Sequence, residues 1–209
     1  MKQGIIFDMD GTLWDSTVGV AESWNEILKQ EKVNRTPLTV EDFRGIMGKT
    51  MDVIAAKFFP DMPEKERMEL LDKCGEYENE YLSGHGAVLY PGVEENFAKL
   101  KEKYELYIVS NCQSGYIEAF LSYYNLGKYI SDIECYGNNE NNIALVVSRN
   151  ALTDAVYVGD IQSDYESSKK AGVAFIHAAY GFGTIDDEVP EIENLSQLPE
   201  VVEKVFAGK

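Results

Sequence analysis

Gly4-Ile5-Ile6-Phe7-Asp8-Met9-Asp10-Gly11-Thr12-Leu13 is the stretch around which the rest of the chain is organised. Its first half is a short apolar run, long enough for a buried strand and too short for a helix before the charge begins. It stops at two carboxylates, Asp8 and Asp10. Gly11 follows, whose backbone reaches shapes that other residues resist, and then Thr12, a short hydroxyl suited to capping whatever comes next. A strand that ends in acids asks for a cation. Taken alone, the same stretch is equally an ordinary strand-to-loop step with solvated aspartates.

The period changes at Asp15-Ser16. From there to about His85 apolar residues such as Val20, Ala21, Trp24, Ile27 and Leu28 recur at helical spacing, and strand signals are absent. Val40 to Met47, Met51 to Phe58 and Glu64 to Leu82 read as helices, the last rich in charge on one face. After Pro91 the pattern alternates. Strands are expected at Leu106–Val109, Asp132–Tyr136, Ala155–Val158 and Val173–His177, with helices at Val93–Lys103, Tyr116–Tyr124, Ile143–Asn150, Ser163–Ala171 (capped by Ser163) and Leu198–Phe206. Strands alternating with helices imply an α/β fold, a parallel sheet with helices on both faces. Residues 1–14 and 86–209 would form this core, and residues 15–85 a helical unit inserted into it.

With 209 residues, 44% of them hydrophobic, there is enough for a real core. A formal charge of −17 and a pI near 4.5 argue against nucleic acid and against an anionic membrane surface as partners. A small anionic substrate remains open, because a metal ion and a few aimed amides reverse the potential locally. Three cysteines without paired metal spacing point to reduced thiols in a cytoplasmic protein. The N-terminus has no signal-peptide pattern, and no apolar stretch is long enough to span a bilayer. A monomer or a homodimer fits equally.

The chemistry collects at the strand ends, where open parallel sheets bind ligands. Asp8 and Asp10 follow the first strand, Ser110 and Asn111 the second, Asp160 and Asp164 a third. Clustered carboxylates raise one another's pKa unless a cation neutralises them, and an all-oxygen set points to a hard ion, Mg²⁺ first. Two aspartates two residues apart divide naturally into a nucleophile for phosphorus and an acid that protonates the leaving oxygen, then activates water. Ser110 and the amides after Asp8 would bind the non-bridging oxygens.

Asp8-Met9-Asp10-Gly11-Thr12, Val109-Ser110-Asn111 and Val158-Gly159-Asp160-Ile161-Gln162-Ser163-Asp164 resemble three motifs of the haloacid dehalogenase-like hydrolase superfamily, in order and spacing, over nearly the whole chain. The inserted helices are similar to the C1-type cap of its phosphoglycolate phosphatase and β-phosphoglucomutase branch. The resemblance implies a Rossmann-like core with the first strand central and a phosphatase acting on a small phosphorylated metabolite. It also implies Asp8 as nucleophile, Asp10 as general acid and base, and Gly11, Thr12, Ser110 and Asn111 around the phosphate. Mg²⁺ would be held by Asp8, the Asp10 main chain and Asp160, with Asp164 beside them. A phosphomutase, or a phosphate-binding protein with little turnover, is the alternative.

One part of that pattern is missing. Where the superfamily carries a lysine, Tyr136-Gly137-Asn138-Asn139-Glu140-Asn141-Asn142 has no cation. At an effective dielectric of about 20 and a separation of about 4 Å, the lost counter-charge is on the order of 4 kcal/mol. Lys128 and Arg149 read as surface charges. Gly48 and Lys49, between two inserted helices, resemble the cap loop that reaches over the active site and contacts the substrate. The 13 tyrosines read as packing residues.

Overall fold

The run Gln3–Phe7 becomes strand β1, buried from Gly4 onward, and the rest of the core is assembled on it. The computed structural model describes residues 2–135 and 139–208, without the side chains of Asn139 and Glu140. After β1 come β2 (Trp14–Asp15), the helices α1 (Thr17–Gln30), α2 (Val40–Arg44), α3 (Met51–Phe58) and α4 (Glu64–His85), and β3 (Val88–Leu89). Then α5 (Val93–Lys101), β4 (Glu105–Val109), α6 (Tyr116–Tyr123), β5 (Ile130–Glu134), α7 (Asn139–Arg149), β6 (Asp154–Gly159), α8 (Gln162–Lys170), β7 (Ala174–Ala178), β8 (Glu191–Ile192) and α9 (Leu198–Ala207) follow.

Among the described residues the main sheet has six strands in the order β5-β4-β1-β6-β7-β8, and every neighbouring pair is parallel. The α/β reading of the sequence holds, with the first strand between β4 and β6 as the resemblance implied. Alternate residues of each strand serve opposite faces. Ile5, Phe7, Leu106, Ile108, Val156 and Val158 join one apolar cluster; Ile6, Tyr107, Val109, Ala155 and Tyr157 join the other. Each such side chain contributes roughly 1.5–3 kcal/mol by leaving water, so both faces must be covered, and the strands read as continuous apolar runs for that reason.

The antiparallel pair β2 and β3 marks where the chain leaves the core and returns. Between them α1 to α4 build their own packing centre on Trp24, Phe43 and Phe58, whose rings meet edge to face at 5.2, 6.1 and 5.3 Å.

Several boundaries differ from the sequence reading. Helix α7 starts at Asn139, before the expected Ile143, and α2 stops at Arg44 because Gly45 ends its hydrogen-bonded turn. Strand β5 runs from Ile130 to Glu134, and Tyr136, the expected strand end, lies outside the described residues together with Gly137 and Asn138. Ser163 does not cap α8. Asp164 accepts the Asp160 and Ile161 amides instead, at 3.2 and 3.3 Å, since a carboxylate is the stronger acceptor for orphaned helix-start N–H groups.

Candidate active site

Strands β4, β1 and β6 run side by side; the chain goes from β1 to β4 and β5 on one side and crosses back to β6 on the other, so their carboxyl ends form the crevice where α/β sheets bind ligands. Asp8 follows β1, Ser110 follows β4 and Asp160 follows β6. Asp8, Asp160 and Asp164 each offer a carboxylate oxygen, all within 4.8 Å of one another. All three residues are buried, and Asp8 Oδ1 has no hydrogen-bond partner. The nest is held largely by backbone. The Phe182 amide donates to Asp160 Oδ2 at 2.7 Å, and the Asp164 bonds fix the turn into α8. Gly11 has φ +85°, and a Cβ there would lie 2.1 Å from Asp160 Oδ2. Only glycine allows the loop after β1 to close this far.

Burial pushes the Asp8 pKa well up, reinforced by Asp164, Asp160 and Asp10. Asp160 rises to about 8, by burial first and Asp164 next. Carboxylates so placed either hold protons or hold a cation. An all-oxygen donor set with one orphaned, buried oxygen fits a hard divalent ion.

Asp10 is different. Its carboxylate lies outside that nest and faces two hydroxyls. Tyr116 OH is 2.9 Å from both carboxylate oxygens, and Ser16 Oγ donates to Oδ1. Tyr116 OH and Ser16 Oγ are themselves 2.7 Å apart. Burial raises the Asp10 pKa to about 6 against the opposing effect of these hydroxyls. Neither Ser16 nor Tyr116 was singled out by the sequence. Ser16 occupies the N-cap position of α1 yet makes no side-chain cap bond, because its hydroxyl is spent on Asp10. Asp15 Oδ1 takes the Thr17 amide instead, at 3.0 Å.

The remaining expected residues fall into place as follows. The Thr12 hydroxyl caps no helix; it points at Asp160 Oδ1, 3.4 Å away. Asn111 Nδ2 donates to the Gly48 carbonyl at 2.8 Å, which ties the loop after β4 to the helical segment. Gly48 has φ +75°, and a Cβ there would lie 2.4 Å from Ile161 Cδ1, so this loop also presses on the turn after β6. Between the helices and the strand ends is a cavity of about 50 Å³. Asp10, Ser110 and Asn111 line it from the core, Trp24, Lys49 and Glu78 from the helices. Lys49 is the one cation among its described lining residues. Lys128 pairs with Glu94 at 3.0 Å and Arg149 with Asp132 and Glu134 at 2.8 Å, so both are the surface charges that their positions suggested.

Known proteins resemble this chain in sequence and in fold. The haloacid dehalogenase-like hydrolase family pattern matches residues 5–178. Phosphoglycolate phosphatases of Pseudomonas fluorescens and Shigella dysenteriae are 27% and 24% identical, over 93% and 91% of this chain and 77% and 87% of theirs. Among solved structures, CbbY from Rhodobacter sphaeroides in complex with phosphate superposes with a TM-score of 0.80 at 17% identity, covering 95% of this chain and 96% of that one. A haloacid dehalogenase-like family protein from Streptococcus pneumoniae gives 0.77 at 19% identity, covering 95% and 98%. Both are likenesses of fold.

Proposed function

The chain belongs to the haloacid dehalogenase-like hydrolases, and from that premise we propose that it is a Mg²⁺-dependent phosphatase of small phosphomonoesters, working through an aspartyl-phosphate on Asp8. The observation that carries this reading is the division of labour between two acids two residues apart. Asp8 sits among carboxylates with an oxygen left over, and Asp10 sits among hydroxyls with a pKa near 6.

Asp8, Asp160 and Asp164, with the Asp10 main chain, would hold the ion, which supplies charge compensation for the nucleophile and the phosphoryl oxygens. Asp8 Oδ attacks phosphorus and forms an O–P bond while the ester P–O bond breaks. Asp10, protonated, gives its proton to the departing alkoxide. Asp10 as carboxylate then takes a proton from water, whose oxygen attacks phosphorus, and the Asp8–phosphorus bond breaks to release inorganic phosphate and restore both carboxyl groups. A pKa near 6 suits both halves, since the group is available in either form near neutrality.

Ser110, Gly11, Thr12 and Asn111 surround the phosphate position from the core side. The hydroxyl of Ser110 and the backbone amides after Asp8 contact it, while the side chains of Thr12 and Asn111 hold the loops in place. Residues 15–85 act as the cap over a core of 1–14 and 86–209. Lys49, lining the cavity, offers the phosphate part of the counter-charge that the usual lysine position lacks, and Gly48 lets its loop approach. The setting is the cytoplasm, in keeping with the absence, among the described residues, of any helix able to cross a membrane.

The test is phosphate release from a generic aryl phosphate, with and without Mg²⁺, by wild type and Asp8→Asn. Metal-dependent release by wild type and none by Asp8→Asn is expected. A wild type that releases nothing from any of a panel of phosphomonoesters would defeat the reading.

A further inference from the structure

The cavity over Asp10 holds a group the proposed reaction does not use. Glu78, in the middle of α4, is 4% exposed and lines the cavity. Its Oε2 accepts from Trp24 Nε1 and its Oε1 from Gln113 Nε2 at 3.1 Å. An indole N–H is a donor only, so Oε2 must accept. The Gln113 amide nitrogen also lies 3.0 Å from Asn79 Oδ1, so the end of that side chain facing Glu78 is its donor end. Both carboxylate oxygens are therefore held as acceptors, with lone pairs to spare. No cation pairs with Glu78 among the described residues.

Such an arrangement is costly. A buried carboxylate without a counter-ion loses hydration that something polar must replace. Burial accordingly drives the Glu78 pKa to about 7, with the charge on Asp10 adding to it and the Trp24 and Gln113 bonds opposing it. The apolar part of the wall, with Phe43, Ile46, Met51 and Ile54, offers Glu78 no side-chain donor. At about 50 Å³ the space admits a group of a few heavy atoms.

We propose that Glu78 is a specificity-determining residue, selecting phosphomonoesters whose small leaving alcohol carries a hydrogen-bond donor, a second hydroxyl or an ammonium group, and rejecting those whose leaving alcohol carries a carboxylate. This rests on the phosphatase reading of the same site. A leaving-group anion would share a water-poor space with the Glu78 carboxylate, where repulsion is screened least. A hydroxyl or an ammonium would instead fill the free lone pairs. Lys49 opposes this preference from the same cavity, but its ammonium is exposed to solvent and acts through a higher effective dielectric than the buried Glu78 carboxylate. The selectivity is thus opposite to that of a site built for a carboxylate-bearing substrate such as phosphoglycolate.

Three esters of matched size separate the possibilities: 2-hydroxyethyl phosphate, 2-aminoethyl phosphate and carboxymethyl phosphate. For wild type with Mg²⁺, kcat/KM for the carboxymethyl ester should fall at least tenfold below the better of the other two. Which of those two leads tells a polyol preference from an amino-alcohol preference. In Glu78→Gln the gap should shrink at least fivefold, mainly through KM. Carboxymethyl phosphate equal to or better than both others in wild type would overturn the proposal, and that result needs no variant to fold. So would an unchanged gap in a Glu78→Gln protein with a native circular dichroism spectrum. Calorimetric binding of the three esters to Asp8→Asn should follow the same order without any turnover. Ordered binding with a wild type that releases no phosphate would break the phosphatase reading and leave this one; turnover led by the carboxymethyl ester would do the reverse.

Discussion

The strand-end nest and the helical segment above it each bury acid, and they accommodate it by opposite means. In the nest, Asp8, Asp160 and Asp164 crowd within one ion's reach. The donors that hold them are mostly backbone amides, at Asp160, Ile161 and Phe182. Above it, Glu78 lines a cavity whose wall is partly apolar and is held by two side chains, Trp24 and Gln113. Backbone donors and a glycine fix a site on chain geometry, which suits an inorganic ion that every turnover requires. Side-chain donors fix a site on residue choice, which varies without disturbing the fold and suits the part of a substrate that differs from one enzyme to another. Asp10 is on the border between them, oriented by Ser16 and Tyr116 and facing the cavity.

The largest expected effect separates Asp10 from the nest it adjoins. Asp10→Asn keeps the side chain's size and its contacts with the two hydroxyls but cannot exchange a proton. Turnover should fall by about 10²–10⁴, while Mg²⁺ affinity measured by calorimetry stays within about twofold, since the Asp10 carboxylate is not among the clustered oxygens. Equal losses in both would merge Asp10 with the nest and remove its separate role.

A smaller effect tests the nest itself through pH. Asp160 is held at about 8 in the folded protein, against an ordinary carboxylate value of about 3.9 once unfolded. Between those values the folded state keeps a proton that the unfolded state has lost. The free energy of unfolding therefore decreases as pH rises, and the stabilising contribution, complete below about 4, is gone once pH passes 8. In a chelator the thermal midpoint should drop by several degrees between pH 5 and 8. Mg²⁺ should raise it more at pH 8 than at pH 5, because the ion competes with the protons it replaces. A midpoint indifferent to Mg²⁺ at pH 8 would mean that the cluster is not a metal site.

How much of this the sequence disclosed follows from the same contrast. Asp8, Asp160 and Asp164 were legible because each ends an apolar run or follows one closely, and a parallel sheet brings such ends together whatever the surrounding side chains are. The central place of β1 came through resemblance, since strand order has no signature in spacing. Glu78 was illegible for the opposite reason: α4 is rich in charge, and one glutamate on it looks like part of a solvated face until the helix is packed. Ser16 marked only the change of period and Tyr116 read as a packing aromatic, and the structure gives both their hydroxyls to Asp10. A residue whose role depends on another residue 100 positions away leaves no local mark. The lysine-free stretch falls partly outside the described residues, and the cation that lines the cavity, Lys49, comes from the loop between α2 and α3.

The smallest effect bears on that border group. Tyr116→Phe removes one hydroxyl from Asp10 and keeps the ring that packs edge-on against Trp14 at 5.5 Å, so the fold should survive. The tyrosine hydroxyl favours the charged form of Asp10, opposing the upward push of burial. Without it, the Asp10 pKa should rise above about 6, by less than one unit if the bond is worth the roughly 1 kcal/mol of a typical hydrogen bond. Asp10 must enter the first half-reaction protonated, so the limb of the kcat/KM profile on which activity falls with rising pH reports this group. That limb should move to higher pH in Tyr116→Phe, while the Mg²⁺ dependence is unchanged. A shift to lower pH would mean that the hydroxyl stabilises the protonated acid, and an unmoved profile would reduce Tyr116 to the packing residue its sequence position suggested.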